Sequence, residues 1–186
     1  MSPKVIIIEG CDNCGKDTLI NKLKEHYTNS VVLHACAPQT NDLFTHYMNT
    51  FIHDTLEGYY NDNNAVINNR SMYGEYVYGP KYRNLPLANA VELIYKLETG
   101  QLKTFIKESD LYFILLSSTN ADLLVNNDDG KSISNKKIDI IDEIEKFNEI
   151  FNMSHIKNKK RILVNNGSSF RTQDAIYNDV INFIEG

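Results

Sequence analysis

The segment Gly10-Cys11-Asp12-Asn13-Cys14-Gly15-Lys16-Asp17-Thr18 sets four residues between a glycine and a Gly-Lys pair, directly after the apolar run Val5-Ile6-Ile7-Ile8. Two glycines let the backbone turn tightly enough for successive N–H groups to converge on phosphate oxygens. Lys16 can reach the terminal phosphates, and a following helix aims its positive end at the same point. Leu19, Ile20, Leu23 and Tyr27 follow at helical spacing, so strand, loop and helix agree and the segment predicts binding of a nucleoside triphosphate. Gly10, Asp12, Asn13, Cys14, Gly15, Lys16, Asp17 and Thr18 are its expected phosphate-binding residues.

One position departs from the usual loop. The residue after the lysine is ordinarily Ser or Thr, whose hydroxyl ligates Mg2+; here it is Asp17, with the hydroxyl displaced to Thr18. Either the carboxylate meets the metal, directly or through water, or Asp17 faces away and Thr18 takes over part of the role. Both residues are therefore candidate metal ligands. Cys11 and Cys14 form a CxxC spacing inside the same loop; a metal or redox pair there would compete with phosphate for the backbone, so both are read as small loop residues in a reducing cytosol.

A second chemical cluster begins at Val66-Ile67-Asn68-Asn69-Arg70-Ser71, an apolar strand that ends in an arginine. A guanidinium there can grip a phosphate bidentately and neutralise charge as two anions approach. Gly74-Glu75-Tyr76-Val77-Tyr78-Gly79-Pro80-Lys81-Tyr82-Arg83 follows, dense in tyrosine and closed by cations. Aromatic faces among cations suit a nucleotide monophosphate, and Arg70, Tyr78 and Arg83 are the expected acceptor-binding residues.

These groups need a frame to bring them together. Strands are expected at Val5 to Ile8, Val31 to Ala35, Ala65 to Asn68, Leu111 to Leu116 and Arg161 to Val164. Between them lie amphipathic stripes: Leu87, Val91, Ile94 and Tyr95 after Pro86; Ile141, Ile144, Phe147, Ile150 and Phe151; and Ala175, Ile176, Val180, Phe183 and Ile184. The alternation predicts an α/β fold with a parallel sheet covered on both faces and ligands gathered at the carboxyl ends of its strands. Asn61 to Asn64 and Asn126 to Asn135 read as loops, the second long enough for a lid. With 186 residues, 42% of them hydrophobic, the chain can bury a full core in one domain. Its net charge of -5, scattered along the sequence, gives no broad basic surface for nucleic acid. No signal peptide and no apolar run of membrane-spanning length is evident, and a cytoplasmic location is expected.

The stretch Ile8-Glu9-Gly10-Cys11-Asp12-Asn13-Cys14-Gly15-Lys16-Asp17-Thr18 resembles the opening of thymidylate kinases, with an acidic residue before the first glycine and an aspartate two residues after it. Asn69-Arg70-Ser71 lies where those enzymes carry an Asp-Arg motif, and Gly74 to Arg83 looks like viral and phage members of the group. The resemblance implies a three-layer P-loop NTPase fold with a five-stranded parallel sheet flanked by helices, one domain over residues 1–186 and a lid at 118–137. It also implies Mg2+-dependent transfer from ATP to a deoxynucleoside monophosphate, dTMP to dTDP above all, by a homodimer. Lys16 and Arg70 are then the catalytic residues. The acceptor is already ionised, so no strong general base is needed.

Asn69 replaces the family's aspartate, keeping the hydrogen-bonding shape but not the charge. The loop carries no arginine, so a transition-state cation has to come from the lid, from Lys131, Lys136 or Lys137. Two other readings stand beside this one. A deoxynucleoside kinase needs a carboxylate after the second strand, where Leu33-His34-Ala35-Cys36-Ala37-Pro38 has none. A nucleotide-binding module without turnover is favoured by Asn69 and Asp17. Gln39, Asn41 and the tyrosines are candidates to read the base.

Overall fold

A computed structural model describes residues 3–128, 130 and 132–186. Five parallel strands form the central sheet: β1 (Lys4–Glu9), β2 (Ser30–His34), β3 (Ala65–Asn69), β4 (Leu111–Ser117) and β5 (Asn158–Leu163), in the order β2-β3-β1-β4-β5. Each expected strand is present, the fifth beginning three residues earlier than its apolar content suggests. The central strand β1 is inaccessible from Val5 to Glu9, as a strand buried on both faces must be, which explains its unbroken apolar run. A short antiparallel pair, β6 (Asn165–Asn166) and β7 (Ser169–Phe170), follows β5.

Helices α1 (Lys16–His26), α2 (Leu43–Tyr47), α3 (His53–Tyr60), α4 (Gly74–Tyr82), α5 (Leu87–Leu97), α6 (Lys103–Phe105), α7 (Ala121–Asn126), α8 (Lys137–Met153) and α9 (Gln173–Glu185) flank the sheet in a three-layer arrangement. α1 packs with α9, and α4 packs with both α5 and α8. The α8 and α9 stripes face the core, with Phe147, Ile150, Phe151, Ile176, Val180 and Ile184 buried. α5 differs from the reading of its sequence: its buried face is Ala90, Leu93, Ile94 and Leu97, while Leu87 and Tyr95 are exposed. The helix begins directly after Pro86, and counting from Leu87 selected a face rotated away from the one that packs. The tyrosine-rich segment forms α4 and carries Pro80 within it, where the missing N–H falls in the last turn.

Register brings the chemistry to one edge. Ile8 of β1 stands beside Asn69 of β3, and Asn69 beside His34 of β2. The chain leaving β1 becomes the glycine loop, the chain leaving β3 becomes Arg70, and the chain leaving β2 runs through Ala35 to Pro38. No helix among the described residues is long and apolar enough to cross a membrane.

Candidate active site

Gly10 and Gly15 are the turning points of the glycine loop after β1. Gly10 has φ +144°, and a Cβ on it would stand 2.3 Å from the carbonyl oxygen of Leu116; Gly15 has φ +81° and caps α1 in the left-handed conformation. Between them Asn13 is also left-handed, at φ +63°. The backbone thus wraps around Lys16, which is only 7% exposed and donates from Nζ to the carbonyls of Gly10 at 2.9 Å and Cys11 at 2.6 Å. Burial, with Arg70 nearby, lowers the lysine's pKa from its ordinary value. Cys11 and Cys14 are buried free thiols, and the hydrogen bond between them draws Cys14 down while raising Cys11.

Arg70 sits on a strained turn with φ +70°, its backbone N–H held by the carbonyl of Ile8 at 3.1 Å. Its guanidinium pairs with Asp12 of the loop and lies 5.6 Å from the ring centre of Tyr78. Two cavities meet at this pair. One, of about 410 Å³, is lined by Asn13, Gly15, Lys16, Asp17, Thr18 and Asn69; the other, of about 570 Å³, by Ala35 to Pro38, Tyr47, Glu75, Tyr78, Tyr82 and Arg83. Asp12 and Arg70 line both. Tyr78 is buried with its hydroxyl unpartnered, and burial holds its pKa well above the usual phenol value.

Asp17 and Thr18 both line the first cavity and are exposed to it. Asn69 links to Asp17: its Nδ2 donates to Asp17 Oδ1 at 2.9 Å and lies 3.1 Å from His34 Nδ1, while its buried Oδ1 has no partner. A carboxylate and a hydroxyl lining the cavity, with an unmet amide oxygen on the adjoining strand end, are oxygen donors of the hard type that Mg2+ prefers. These residues fit the ion.

Arg83, expected among the acceptor-binding residues, lines the second cavity with its guanidinium on a carboxylate. Its Nη2 donates at 2.5 Å to Oε2 of Glu75, a buried carboxylate that also accepts from Tyr47 O–H at 2.6 Å. The guanidinium is thus paired with a carboxylate, as that of Arg70 is with Asp12, but at a carboxylate remote from the glycine loop. Glu75 and Tyr47 were not singled out by sequence; the signal available for Glu75 was an acid inside a segment otherwise rich in aromatics and cations. Gln39 and Asn41 do not line either cavity. Glu9, the acid before the first glycine, is wholly buried, accepting from Ser71 O–H at 2.7 Å.

Two residues of the segment expected to form a lid contact the glycine loop. Asn13 Nδ2 donates to Ser132 Oγ at 2.9 Å, and the N–H of Ile133 donates to Asp12 Oδ2 at 3.2 Å. Lys131 lies outside the described residues. Lys137 pairs with Asp122 at 2.7 Å, and Lys136 is exposed at the start of α8.

No model of a known protein family matches the chain, and no curated protein sequence does. Solved structures do. The YorR protein of Bacillus subtilis in complex with phosphorylated GDP superposes with a TM-score of 0.65 at 17% identity, over 98% of this chain and 96% of that one. Thymidylate kinase from Candida albicans gives 0.61 at 14% identity, covering 99% and 92%. Deoxyadenosine kinase from M. mycoides with bound dATP gives 0.54 at 10% identity, covering 98% and 100%. Over nearly the whole chain, the fold is similar to that of these solved structures, two of them nucleoside or nucleotide kinases.

Proposed function

We propose that this protein transfers the terminal phosphoryl group of ATP to a deoxynucleoside monophosphate, with dTMP as the acceptor that the sequence resemblance favours. The observation that carries the proposal is the pair of adjoining cavities with Asp12 and Arg70 as their common wall. One is built for a phosphate chain, the other has the tyrosines and the arginine that a second nucleotide requires. Phosphoryl transfer depends on positioning and charge neutralisation more than on covalent chemistry.

In this reading the loop N–H groups and Lys16 hold the donor phosphates. Lys16 is held by the carbonyls of Gly10 and Cys11 and exchanges them for phosphate oxygens when the donor binds. Arg70, at the junction, neutralises the acceptor phosphate, and its left-handed turn is fixed by Ile8 before any ligand arrives. Tyr78 offers its unpartnered hydroxyl to the acceptor. Asp17, Thr18 and Asn69 would hold Mg2+, which when bound supplies charge neutralisation on the donor phosphates. A lid cation from Lys131 or Lys136, a homodimeric assembly and a cytoplasmic location complete the proposal.

A second reading, a deoxynucleoside kinase, draws on the two carboxylates of the acceptor cavity, Asp12 and Glu75. Each is already paired with an arginine, which disfavours it as a base for a sugar hydroxyl. ADP formation measured across deoxynucleoside monophosphates and nucleosides tests the choice. Higher kcat/KM for dTMP than for thymidine is expected, and the reverse would hand the function to the second reading. Lys16→Ala should reduce kcat by about 10²-fold or more with the fold intact, because the charge is removed where the transferred group is most anionic. Activity within a few-fold of wild type would defeat the phosphate-loop assignment.

A further inference from the structure

The Glu75–Arg83 pair belongs to the acceptor cavity alone, away from Lys16 and the phosphate loop. Glu75 is 2% exposed, and its two oxygens accept from different donors, Tyr47 on α2 and Arg83 just past the end of α4. Beyond its backbone N–H, which closes α4 on the carbonyl of Gly79 at 3.0 Å, Arg83 has its Nε buried without an acceptor. The result is a fixed acceptor beside a fixed donor, neutral as a pair, with one donor unmet. A phosphate would bring its charge against the carboxylate. A neutral edge carrying an N–H next to a carbonyl meets both members with the right polarity. Around the pair, Tyr78 and Tyr82 supply aromatic faces and Ala37 and Pro38 small apolar ones, the setting of a nucleobase.

We infer that Glu75 and Arg83 read the base of the acceptor nucleotide and select bases whose edge carries a ring N–H beside a carbonyl. Thymine, uracil and guanine present that edge: the ring N–H donates to the carboxylate and the adjacent carbonyl accepts from the guanidinium. Adenine and cytosine reverse it, with a bare ring nitrogen toward the carboxylate and an amino group toward the guanidinium. Both members of the pair would then face a group of their own polarity in a buried setting, the arrangement that discriminates most strongly between otherwise similar ligands. The inference rests on the phosphotransfer proposal for the class of ligand in the cavity, and it adds the class of base.

The test is equilibrium binding of dTMP, dGMP, dCMP and dAMP to the full chain and to Glu75→Gln, with circular dichroism to establish folding. The wild type should bind dTMP or dGMP at least about tenfold more tightly than dCMP and dAMP. Glu75→Gln should collapse that ratio, because an amide can turn either its N–H or its carbonyl toward the ligand. Tyr47→Phe, which removes a support of Glu75 without touching the pair's polarity, should keep the ranking. If Glu75→Gln does not fold, Arg83→Lys, with its planar fork lost, should narrow the ratio in its place. Equal binding of all four by the wild type, or an unchanged ratio in a folded variant, would overturn the inference. Steady-state ADP formation with the same four separates the two claims. A binding preference without turnover removes the kinase reading and keeps the base reading, whereas equal turnover of all four does the opposite.

Discussion

Glu9 is inaccessible to solvent at the end of β1, with Ser71 on one carboxylate oxygen and no partner on the other. Burial raises its pKa from 4.5 to about 7, against the opposing pull of Arg70, Ser71 and Lys16. Between those two values the folded protein holds a proton that the unfolded chain releases, so stability must fall as pH rises through that window, by roughly 3 kcal/mol in all. Glu9→Gln keeps an acceptor for Ser71 and removes the ionisation. Its denaturation midpoint should therefore lose much of its decline between pH 4.5 and 7 and exceed that of the wild type at pH 8. Parallel pH profiles of the two proteins would refute this. Asp17 and Asn69 make the second prediction at this scale, since they are joined by a 2.9 Å hydrogen bond. Asp17→Asn removes the carboxylate of the oxygen set and should raise the Mg2+ concentration for half-maximal rate by roughly tenfold. Asn69→Asp instead sets two carboxylates against each other. It should lower the melting temperature of the metal-free protein and regain it on addition of Mg2+, as thermal scans with and without the ion will record.

At the scale of elements, the site depends on how closely β1 and its loop pass β4. Gly10 is the point of closest approach: any side chain there meets a backbone carbonyl of Leu116, which has no rotamer to move away. Gly10→Ala should cost about 2 kcal/mol or more in urea denaturation, through both the clash and the positive φ. A loss below about 0.5 kcal/mol would mean that β4 yields, contrary to its place in a close-packed core. The elements that sequence disclosed most fully were those with a single strong period. The apolar runs of β1, β3 and β4, and the stripes of α8 and α9, face the core as their spacing requires. Where two signals overlapped, reading was harder. α4 mixes Tyr, Gly and Pro with cations, a composition that carries no clean helical stripe, so its helical form and the inward turn of Glu75 came only with the packing of α4 on α5 and α8. Arg83 illustrates the limit well: its residue type and neighbourhood marked it for the acceptor, and the pairing with a buried acid eight positions earlier was not legible.

For the molecule as a whole, the parallel sheet follows from alternating apolar strands and amphipathic helices, whereas the order β2-β3-β1-β4-β5 is not written in any local pattern. That order is what sets the ends of β1 and β3 side by side and so makes neighbours of Lys16 and Arg70, which are far apart in the chain. It also sets the Asp12–Arg70 pair in the lining of both cavities. The consequence concerns inhibition: two ligand halves that fit about 410 and 570 Å³ can be tethered through one shared wall. A molecule carrying a nucleoside at each end of an oligophosphate chain binds its second half from an effective concentration set by the tether. Its affinity should exceed that of either half by about 10²-fold or more. The gain should peak at one chain length and decline on either side, since a short tether cannot span the junction and a long one dilutes the second half. Affinities measured along a series of chain lengths would reveal that optimum, and a flat series would mean that the two cavities are not filled together.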